Sequence, residues 1–260
     1  MRQIPLALLT AIGLSFAGAQ AALAADIPLK APPPPPPPFS WTGFYIGVNG
    51  GAGSGTTQTS INAGAALAGL IPGIGLTLPL PSQTFTGWLG GVQAGYNWQT
   101  GPVVFGIEAE WDGSNMQGNT ACILVFNCNV KHDWVADVAG RFGVVTFDRA
   151  LVYVKGGAAW AESKYNIGNS ISFGGFTLAA NANASNTPVG GLFGVGVEYA
   201  FLPNWSAKIE YNYIDFGTQN LSFPLTTTPA VAGLPTIPAQ VKETMQIVKA
   251  GVNYRFSYGP

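Results

Sequence analysis

The chain has 260 residues, of which 9% are charged, 12% are aromatic and 35 are glycine, and its formal net charge is −1. A soluble domain carries about 25% charged residues, so this composition is unusual for a surface that faces water. The near-neutral charge and the lack of any basic block exclude nucleic acid as a partner. We therefore expect much of the surface to face lipid.

The first 24 residues have the features of a secretory signal peptide. Arg2 gives a positive start, residues 4–16 are apolar, and the small-x-small run at 22–24 matches a signal-peptidase site. We expect cleavage after Ala24 and export through the inner membrane. The alternative is an uncleaved anchor, but a membrane helix takes about 20 apolar residues and this run is shorter.

A proline-rich periplasmic tail is predicted over residues 25–40, and it includes seven consecutive prolines. Such a run adopts a polyproline helix that rises about 3.1 Å per residue, which gives a semi-rigid spacer of roughly 20 Å. Two hypotheses remain for this tail. It is either a plain linker to the first strand or a standoff that reaches the cell wall.

The third predicted region, residues 41–260, contains eight segments in which apolar residues alternate with polar or small ones. This period of two over about 10 residues is typical of a strand with one face toward lipid. No run is long enough for a membrane helix, and a closed barrel is the other structure that crosses a bilayer. In chain order the segments are 44–51, 88–98, 103–112, 133–144, 152–160, 189–201, 205–213 and 248–256.

The connections between these segments alternate in length, as short periplasmic turns and long external loops do in outer-membrane barrels. The sequence therefore predicts an all-β fold, an eight-stranded antiparallel transmembrane β-barrel in the cell outer membrane. The short turns are 99–102, 146–149 and 202–204, and the long external loops are 54–84, 113–131, 162–187 and 216–243.

All seven tryptophans fall at the ends of segments. Indole favours the boundary between water and lipid, so we expect two aromatic girdles. Trp88 and Trp98 begin and end one segment, which spans roughly 23 Å at about 3.3 Å per residue and a tilt near 45°, close to the apolar band of such barrels. The predicted periplasmic girdle contains Trp41, Trp98 and Trp205, and the external girdle contains Trp88, Trp111, Trp134 and Trp160.

Charged residues of the predicted strands share the face opposite to lipid. An eight-stranded barrel has an interior just wide enough for side chains to fill it. Its size favours a structural salt-bridge core, and the alternative is a charged, weakly selective pore. The predicted lumen network contains Glu108, Glu110, Asp137, Arg141, Lys155, Glu198, Lys208, Glu210, Lys249 and Arg255, with Asp112 beside them.

The sequence predicts neither an enzyme nor a metal or cofactor site. The one histidine, His132, is followed by Asp133, but adjacent strand residues point to opposite faces. We expect His132 to be an ordinary polar residue at the membrane interface. Glu108 and Glu110 resemble paired catalytic carboxylates, yet the nearby basic residues make neutralisation the simpler role. No group of His and Cys has metal-ligand spacing.

Cys122 and Cys128 lie in the second long external loop. Thiols are oxidised beyond the inner membrane, so a local disulfide is the expected state. A two-cysteine metal site is the weaker alternative. The closed loop is short, so the bond would fix the shape of the loop more than it would stabilise the barrel.

Three stretches of the chain carry a family resemblance: FSWTGFYIG at 39–47, YVKGGAAW at 153–160 and GVNYRF at 251–256. They resemble the alphaproteobacterial outer-membrane immunogenic proteins, which are small surface-antigen barrels often described as porin-like. The resemblance implies that Tyr254 and Phe256 belong to the signal that the barrel-assembly machinery reads. Residues 257–260 follow this signal, which is a departure from the family, and Tyr258 is an alternative end of it.

The resemblance also bears on the N-terminus, because similar barrels in related bacteria are joined to peptidoglycan through an N-terminal alanine that precedes aspartate. Ala25 and Asp26 would occupy these positions after cleavage, and Lys30 offers an alternative amine.

Three functions are compared. The favoured one is a structural surface protein that stabilises the envelope and contacts outer-membrane lipid and lipopolysaccharide. A small diffusion channel is the alternative, and a lipid-modifying enzyme is the weakest of the three.

Overall fold

The structure is a computed structural model that describes residues 39–62, 64, 76–123, 126–173, 176–230 and 236–256. Ten strands of the described part form one antiparallel sheet. No helix in these ranges is long and apolar enough to cross a membrane. The strands are β1 (Gly43–Asn62), β2 (Thr77–Pro79), β3 (Gln83–Thr100), β4 (Val103–Ile123), β5 (Phe126–Thr146), β6 (Ala150–Phe173), β7 (Phe176–Asn186), β8 (Val189–Ala200), β9 (Trp205–Thr228) and β10 (Thr236–Arg255).

The sheet closes into a barrel with eight positions around its ring. β1 pairs with β3 on one side and with β10 on the other, so the first and last strands close the ring. β7 and β8 share one position, because both pair with β6 and with β9. The short β2 pairs with the outer end of β1. The eight-stranded barrel is confirmed, with one ring position divided between two strands.

The strands extend well beyond the predicted segments. β1 has 20 residues, and β6 and β9 have 24 each, whereas about 10 residues cross a bilayer. Much of what the sequence predicted as long external loops is therefore strand. In the second of these loops, β4 continues to Ile123 and β5 begins at Phe126. The barrel wall projects outward from the membrane as paired hairpins.

The inside–outside pattern of the strands inverts where they leave the membrane. On β10 the inward-facing residues change from Met245 and Ile247 to Lys249, while the outward-facing ones change from Gln246 to Val248. A barrel wall in water needs an apolar interior, whereas a wall in lipid needs an apolar exterior. The sequence does not predict the external extensions of the strands, because the alternation with apolar residues on the outward face ends where the strands leave the membrane.

Three layers fill the barrel interior. The external layer is apolar, the middle layer is charged, and the periplasmic layer is again apolar. The periplasmic layer contains Trp41, Val104, Leu151, Tyr153 and Ala200. The external layer includes Phe85, Leu89, Met116, Val130, Val135, Ile214, Phe216, Phe223, Val241, Met245 and Ile247.

The periplasmic turn between β5 and β6 has an unusual backbone. Phe147 and Asp148 have φ angles of 48° and 60°. Two successive left-handed residues are typical of a type I′ hairpin turn, which favours Asn and Gly. Phe147 is also 93% exposed, so a phenylalanine suits neither the positive φ angle nor the exposure of this position.

Candidate functional site in the barrel interior

Alternation along neighbouring strands brings the charged side chains of the middle layer together. Residues two apart on a strand point to the same face, so β4 alone directs three carboxylates inward. Nine of the ten predicted network residues, together with Asp112, form ion pairs with one another. The nine are Glu108, Glu110, Asp137, Arg141, Lys155, Glu198, Lys208, Glu210 and Lys249.

Lys155 lies at the centre of this network. Its Nζ is 2.8 Å from Glu210 Oε1 and 3.1 Å from Glu110 Oε2. Asp137 Oδ1 is 3.4 Å away and Glu108 Oε1 is 3.6 Å away. One buried ammonium group therefore contacts carboxylates from three different strands.

Two further lysines complete the central cluster. Lys208 Nζ lies 2.6 Å from Glu110 Oε1 and 3.2 Å from Glu108 Oε2. Lys249 pairs with Glu110 and, at 3.1 Å, with Asp112 Oδ2. Oxygens of Glu108, Glu110 and Glu210 all lie within 4.8 Å of one another, a spacing that fits a metal ion. The ammonium groups contact these same carboxylates, so they supply the positive charge that a metal would bring.

Arg141 forms the periplasmic side of the network. It donates to Glu198 Oε2 at 2.7 Å and to Glu108 Oε2 at 3.3 Å. It also donates to the Tyr45 hydroxyl at 2.7 Å, and its guanidinium lies 4.0 Å from the centroid of the Tyr153 ring. These contacts join β1, β4, β5, β6 and β8 through one side chain.

Six carboxylates face four cations in this network, so neutral donors provide the remaining hydrogen bonds. Removal of one partner from such a buried cluster leaves an uncompensated charge, which costs roughly 3–5 kcal/mol. The neutral donors are Tyr45 to Glu108, Tyr153 and Asn212 to Glu210, and Ser206 and Asn253 to Glu198.

Inward-facing glycines make room for the long side chains. A Cβ atom at Gly196 would lie 2.5 Å from Cζ of Tyr153, and one at Gly194 would lie 2.9 Å from Cγ of Lys155. Side chains at these positions would displace the residues that carry the network. The glycines thus contribute to the filling of the lumen by leaving space for their neighbours.

Arg255 is a correction to the predicted network. Its guanidinium donates to the Pro203 carbonyl at 2.7 Å and lies 4.3 Å from the Phe39 ring centroid and 5.6 Å from that of Trp41. Arg255 lies one layer below the ion-paired residues, among aromatic rings. The inward alternation of β10 placed it on the correct face but did not predict its depth.

Trp41 is a correction to the predicted periplasmic girdle. It is 2% exposed and packs against Val104, Leu151 and Tyr153 inside the barrel. The alternation of β1 that directs Tyr45 inward also directs Trp41 inward, so the sequence pattern itself indicates that Trp41 lies inside the barrel. Trp41 closes the periplasmic end of the lumen.

The other six tryptophans have outward exposure that suits the predicted girdles. Trp134 on β5 and Trp160 on β6 are partly exposed, and both strands continue outward beyond them. The more exposed members are Trp88, Trp98, Trp111 and Trp205.

His132 is buried inside the external layer, which corrects the prediction of an ordinary interfacial residue. Its Nδ1 lies 3.2 Å from Ser163 Oγ, and its Nε2 lies 3.6 Å from Glu243 Oε1. Tyr165 donates to Glu243 Oε2 at 2.6 Å. Sequence reasoning missed this cluster because Ser163, Tyr165 and Glu243 lie in predicted loops.

Burial dominates the acid–base behaviour of this external cluster, which lies beyond Trp134 and Trp160. Desolvation lowers the pKa of His132 to about 4, although a hydrogen bond to the Glu162 backbone and the charge of Asp133 act in the opposite direction. Desolvation raises the pKa of Glu243 to about 7, against hydrogen bonds from Tyr165 and Ser163.

Cys128 is buried and disulfide-bonded. The side chain of Cys122 lies outside the described part, so the pairing of these two cysteines stays a prediction. Gln83 donates to the carbonyl of Cys128 at 2.6 Å and to that of Gly118 at 2.9 Å. These two bonds attach β3 to the hairpin of β4 and β5.

The two ends of the chain differ in what the structure describes. Phe256 stacks on Phe44, with ring centroids 5.7 Å apart, and contacts Tyr254 at 5.1 Å. These rings close the seam between β1 and β10, where the assembly signal is predicted. Ala25 and Asp26 lie outside the described residues, so the structure places no part of the predicted attachment site.

Comparison with known proteins agrees with the barrel fold. A family model described as "Outer membrane protein beta-barrel domain" matches residues 7–256. The chain belongs to this outer-membrane β-barrel family. It is 31% identical to the 31 kDa outer-membrane immunogenic protein of Brucella melitensis biotype 1 over 253 residues, which cover 92% of this chain and 95% of that protein.

Two further comparisons concern a more distant relative and a solved structure. The 25 kDa outer-membrane immunogenic protein of Brucella abortus biovar 1 is 24% identical over 233 residues, covering 88% of this chain and 85% of that protein. The crystal structure of OprG from Pseudomonas aeruginosa covers 84% of this chain and 99% of its own, with a TM-score of 0.50 at 10% identity. At that identity the likeness concerns the fold alone.

Proposed function

We propose that this outer-membrane barrel is a structural surface protein that stabilises the envelope and does not conduct solutes. The burial of the lumen charges carries this proposal. Lys155 and Lys208 are each 1% exposed, and Glu108 is fully buried. A water-filled pore would expose these side chains, so their burial favours the salt-bridge core over the diffusion channel.

The two apolar layers support the same proposal. Trp41 and Leu151 close the periplasmic end, and Phe85, Met116 and Phe216 are buried at the external end. A solute would have to displace both layers as well as the ion pairs between them.

The external surface suits contact with lipid headgroups and lipopolysaccharide. Lys131 and Lys164 face each other on β5 and β6, just beyond Trp134 and Trp160. Both pair with Asp133, at 2.6 and 2.5 Å. We place this patch at the level of the phosphate groups, because indole rings mark the boundary of the apolar band.

A strain that lacks the protein tests the structural role. We expect greater sensitivity to detergent and leakage of periplasmic proteins, both restored by the wild-type gene. Slower uptake of small solutes with an intact envelope would instead support the channel.

The peptidoglycan tether is a separate part of the proposal. The tail of residues 25–40 would present the amine of Ala25 at a distance from the barrel rim. Purified cell-wall sacculi should retain part of the protein after boiling in detergent, and lysozyme should release it with a muropeptide on Ala25. Complete extraction without lysozyme, or unchanged retention in Asp26→Ala, would rule out the tether as stated.

A further inference from the structure

A polar strut crosses the external half of the barrel, inside its apolar layer. β5 and β10 occupy opposite positions in the eight-membered ring. Glu243 on β10 nevertheless contacts His132 on β5 and both Ser163 and Tyr165 on β6. This contact therefore spans the lumen and holds two opposite walls together.

The hydrogen bonds of Ser163 determine which nitrogen of His132 carries the ring proton. Ser163 donates its single proton to Glu243 Oε1 at 3.3 Å. Its oxygen, 3.2 Å from His132 Nδ1, must then accept from that nitrogen. The ring also hydrogen-bonds to the backbone of Glu162, which gives the same Nδ1–H donor a second acceptor.

This arrangement leaves a lone pair on His132 Nε2. Within the described ranges Nε2 has no hydrogen-bond partner, and the nearest carboxylate oxygen is Glu243 Oε1 at 3.6 Å. A lone pair facing a carboxylate oxygen is repulsive unless a proton lies between them. The geometry therefore requires one more proton than two deprotonated groups would provide.

Among the residues that the structure describes, no other buried charge lies beside Glu243 to neutralise it. The inward-facing neighbours on the strands that line this layer are uncharged, and they include Thr57 on β1, Gln83 and Phe85 on β3, Met116 on β4, Val130 on β5, Phe216 on β9 and Met245 on β10. The nearby charged groups of Lys131, Asp133, Lys164 and Lys242 are on the outward face. Tyr165 is the remaining titratable group in the cluster.

We propose that His132 and Glu243 are a buried one-proton pair, in which a neutral imidazole and a protonated carboxyl group lock β10 to the opposite wall of the barrel. Loss of this proton would leave an anion in the apolar layer, and gain of a second would leave a cation. Either change weakens the strut and favours opening of the external hairpins.

Folding moves this proton from one group to the other. In the unfolded chain the ordinary pKa values are about 6.5 for His and 4.5 for Glu, so between these values the proton is on His132. In the folded chain the pKa values are about 4 and about 7, so the proton is on Glu243. The number of bound protons is one in both states, and the stability of the strut is independent of pH between about 4.5 and 6.5.

In the wild type the effects of the two pKa shifts cancel. Each single variant keeps only one of the shifts, so the two variants depend on pH in opposite directions. In His132→Phe the raised pKa of Glu243 remains, so its stabilisation is present below 4.5 and is lost as the pH rises through 7. In Glu243→Gln the lowered pKa of His132 remains, so its stabilisation is present above 6.5 and is lost as the pH falls through 4. The double variant has neither dependence.

Hydrogen exchange of the β10 amides at 241–245, in bilayer-embedded protein and corrected for intrinsic rates, measures opening of the strut. Between pH 4.5 and 6.5 we expect a constant opening equilibrium in the wild type and in the exposed control Asp133→Asn. In His132→Phe the opening equilibrium constant should increase by up to about tenfold for each unit by which the pH is raised. In Glu243→Gln it should increase by up to about tenfold for each unit by which the pH is lowered. A sloping wild type, or flat profiles in both single variants, would overturn the proposal.

A second measurement covers the case in which a variant does not fold, as judged by its heat-dependent gel mobility. The infrared difference between wild-type protein and the isosteric Glu243→Gln should contain a protonated carboxyl band that disappears near pH 7. A band lost near pH 4.5 would contradict the one-proton pair.

Discussion

Ile247 and Lys249 are two residues apart on β10 and both point into the barrel, yet they belong to different layers. Ile247 is part of the apolar external layer, whereas Lys249 pairs with Glu110 and Asp112. The boundary between water and lipid therefore crosses β10 between these two side chains. The interior layer directly below this boundary is held together by charges, and the layer above it by apolar packing.

The inverted pattern predicts very unequal effects for two neighbouring substitutions on β10. Met245→Asp places an unpaired carboxylate in the apolar layer, where Met245 is fully buried, and should cost several kcal/mol. Gln246→Asp is exposed and should change the free energy of unfolding by about 0.5 kcal/mol or less. Urea unfolding in bilayers, followed by tryptophan fluorescence, measures both. Equal effects would contradict the inversion.

The ion-pair network predicts a large loss of stability in Lys155→Met. This change leaves Glu108, Glu110, Asp137 and Glu210 with one fewer cation and should cost roughly 3–5 kcal/mol. The matched control is Lys164→Met, which removes exposed ion pairs and should cost less than about 1 kcal/mol. If the first variant unfolds at the same urea concentration as the wild type, the lumen is hydrated and the packed core is wrong.

The placement of Trp41 can be tested by its fluorescence. In a variant that retains Trp41 as its single tryptophan, lipid-attached nitroxide groups should quench the emission weakly, because the ring is inside the barrel. A variant that retains Trp98, which is 52% exposed, should be quenched strongly. Equal quenching would return Trp41 to the periplasmic girdle.

The turn between β5 and β6 offers a stabilising change. Phe147→Asn combined with Asp148→Gly supplies residues that adopt positive φ readily, and should raise the stability by about 1 kcal/mol. The readout is the urea midpoint, with Asp148→Ala as a control that keeps the strain. A lower midpoint for the Asn–Gly variant would show that the native turn is not strained.

The membrane half of this fold is predictable from sequence because side chains that face lipid cannot be charged. A one-residue shift would place Lys208 or Glu210 in lipid, so the phase of each strand is determined wherever a charge occurs. The external half lacks that constraint. Segments such as β9 beyond Phe216 combine polar outward residues with apolar inward ones, and their composition resembles loops.

The errors at single residues have a similar cause. The prediction for Trp41 rests on its indole and its place at the end of a segment, although its position relative to Tyr45 places it inside. The prediction for Arg255 rests on its charge and on the inward alternation of β10, which do not show that aromatic residues far away in sequence surround it. The partners of His132 are Ser163 and Glu243. Its contact with Glu243 depends on β5 and β10 facing each other across the ring.

The most direct test of the closed barrel is the conductance of the refolded protein in a planar bilayer. Heat-dependent gel mobility confirms that the sample is folded before it is added. With three filled layers, and with Lys155 and Lys208 only 1% exposed, we predict no stepwise current above that of the bare membrane. Reproducible single-channel steps that change their ion selectivity in Lys155→Met would contradict the account and establish the lumen as a pore.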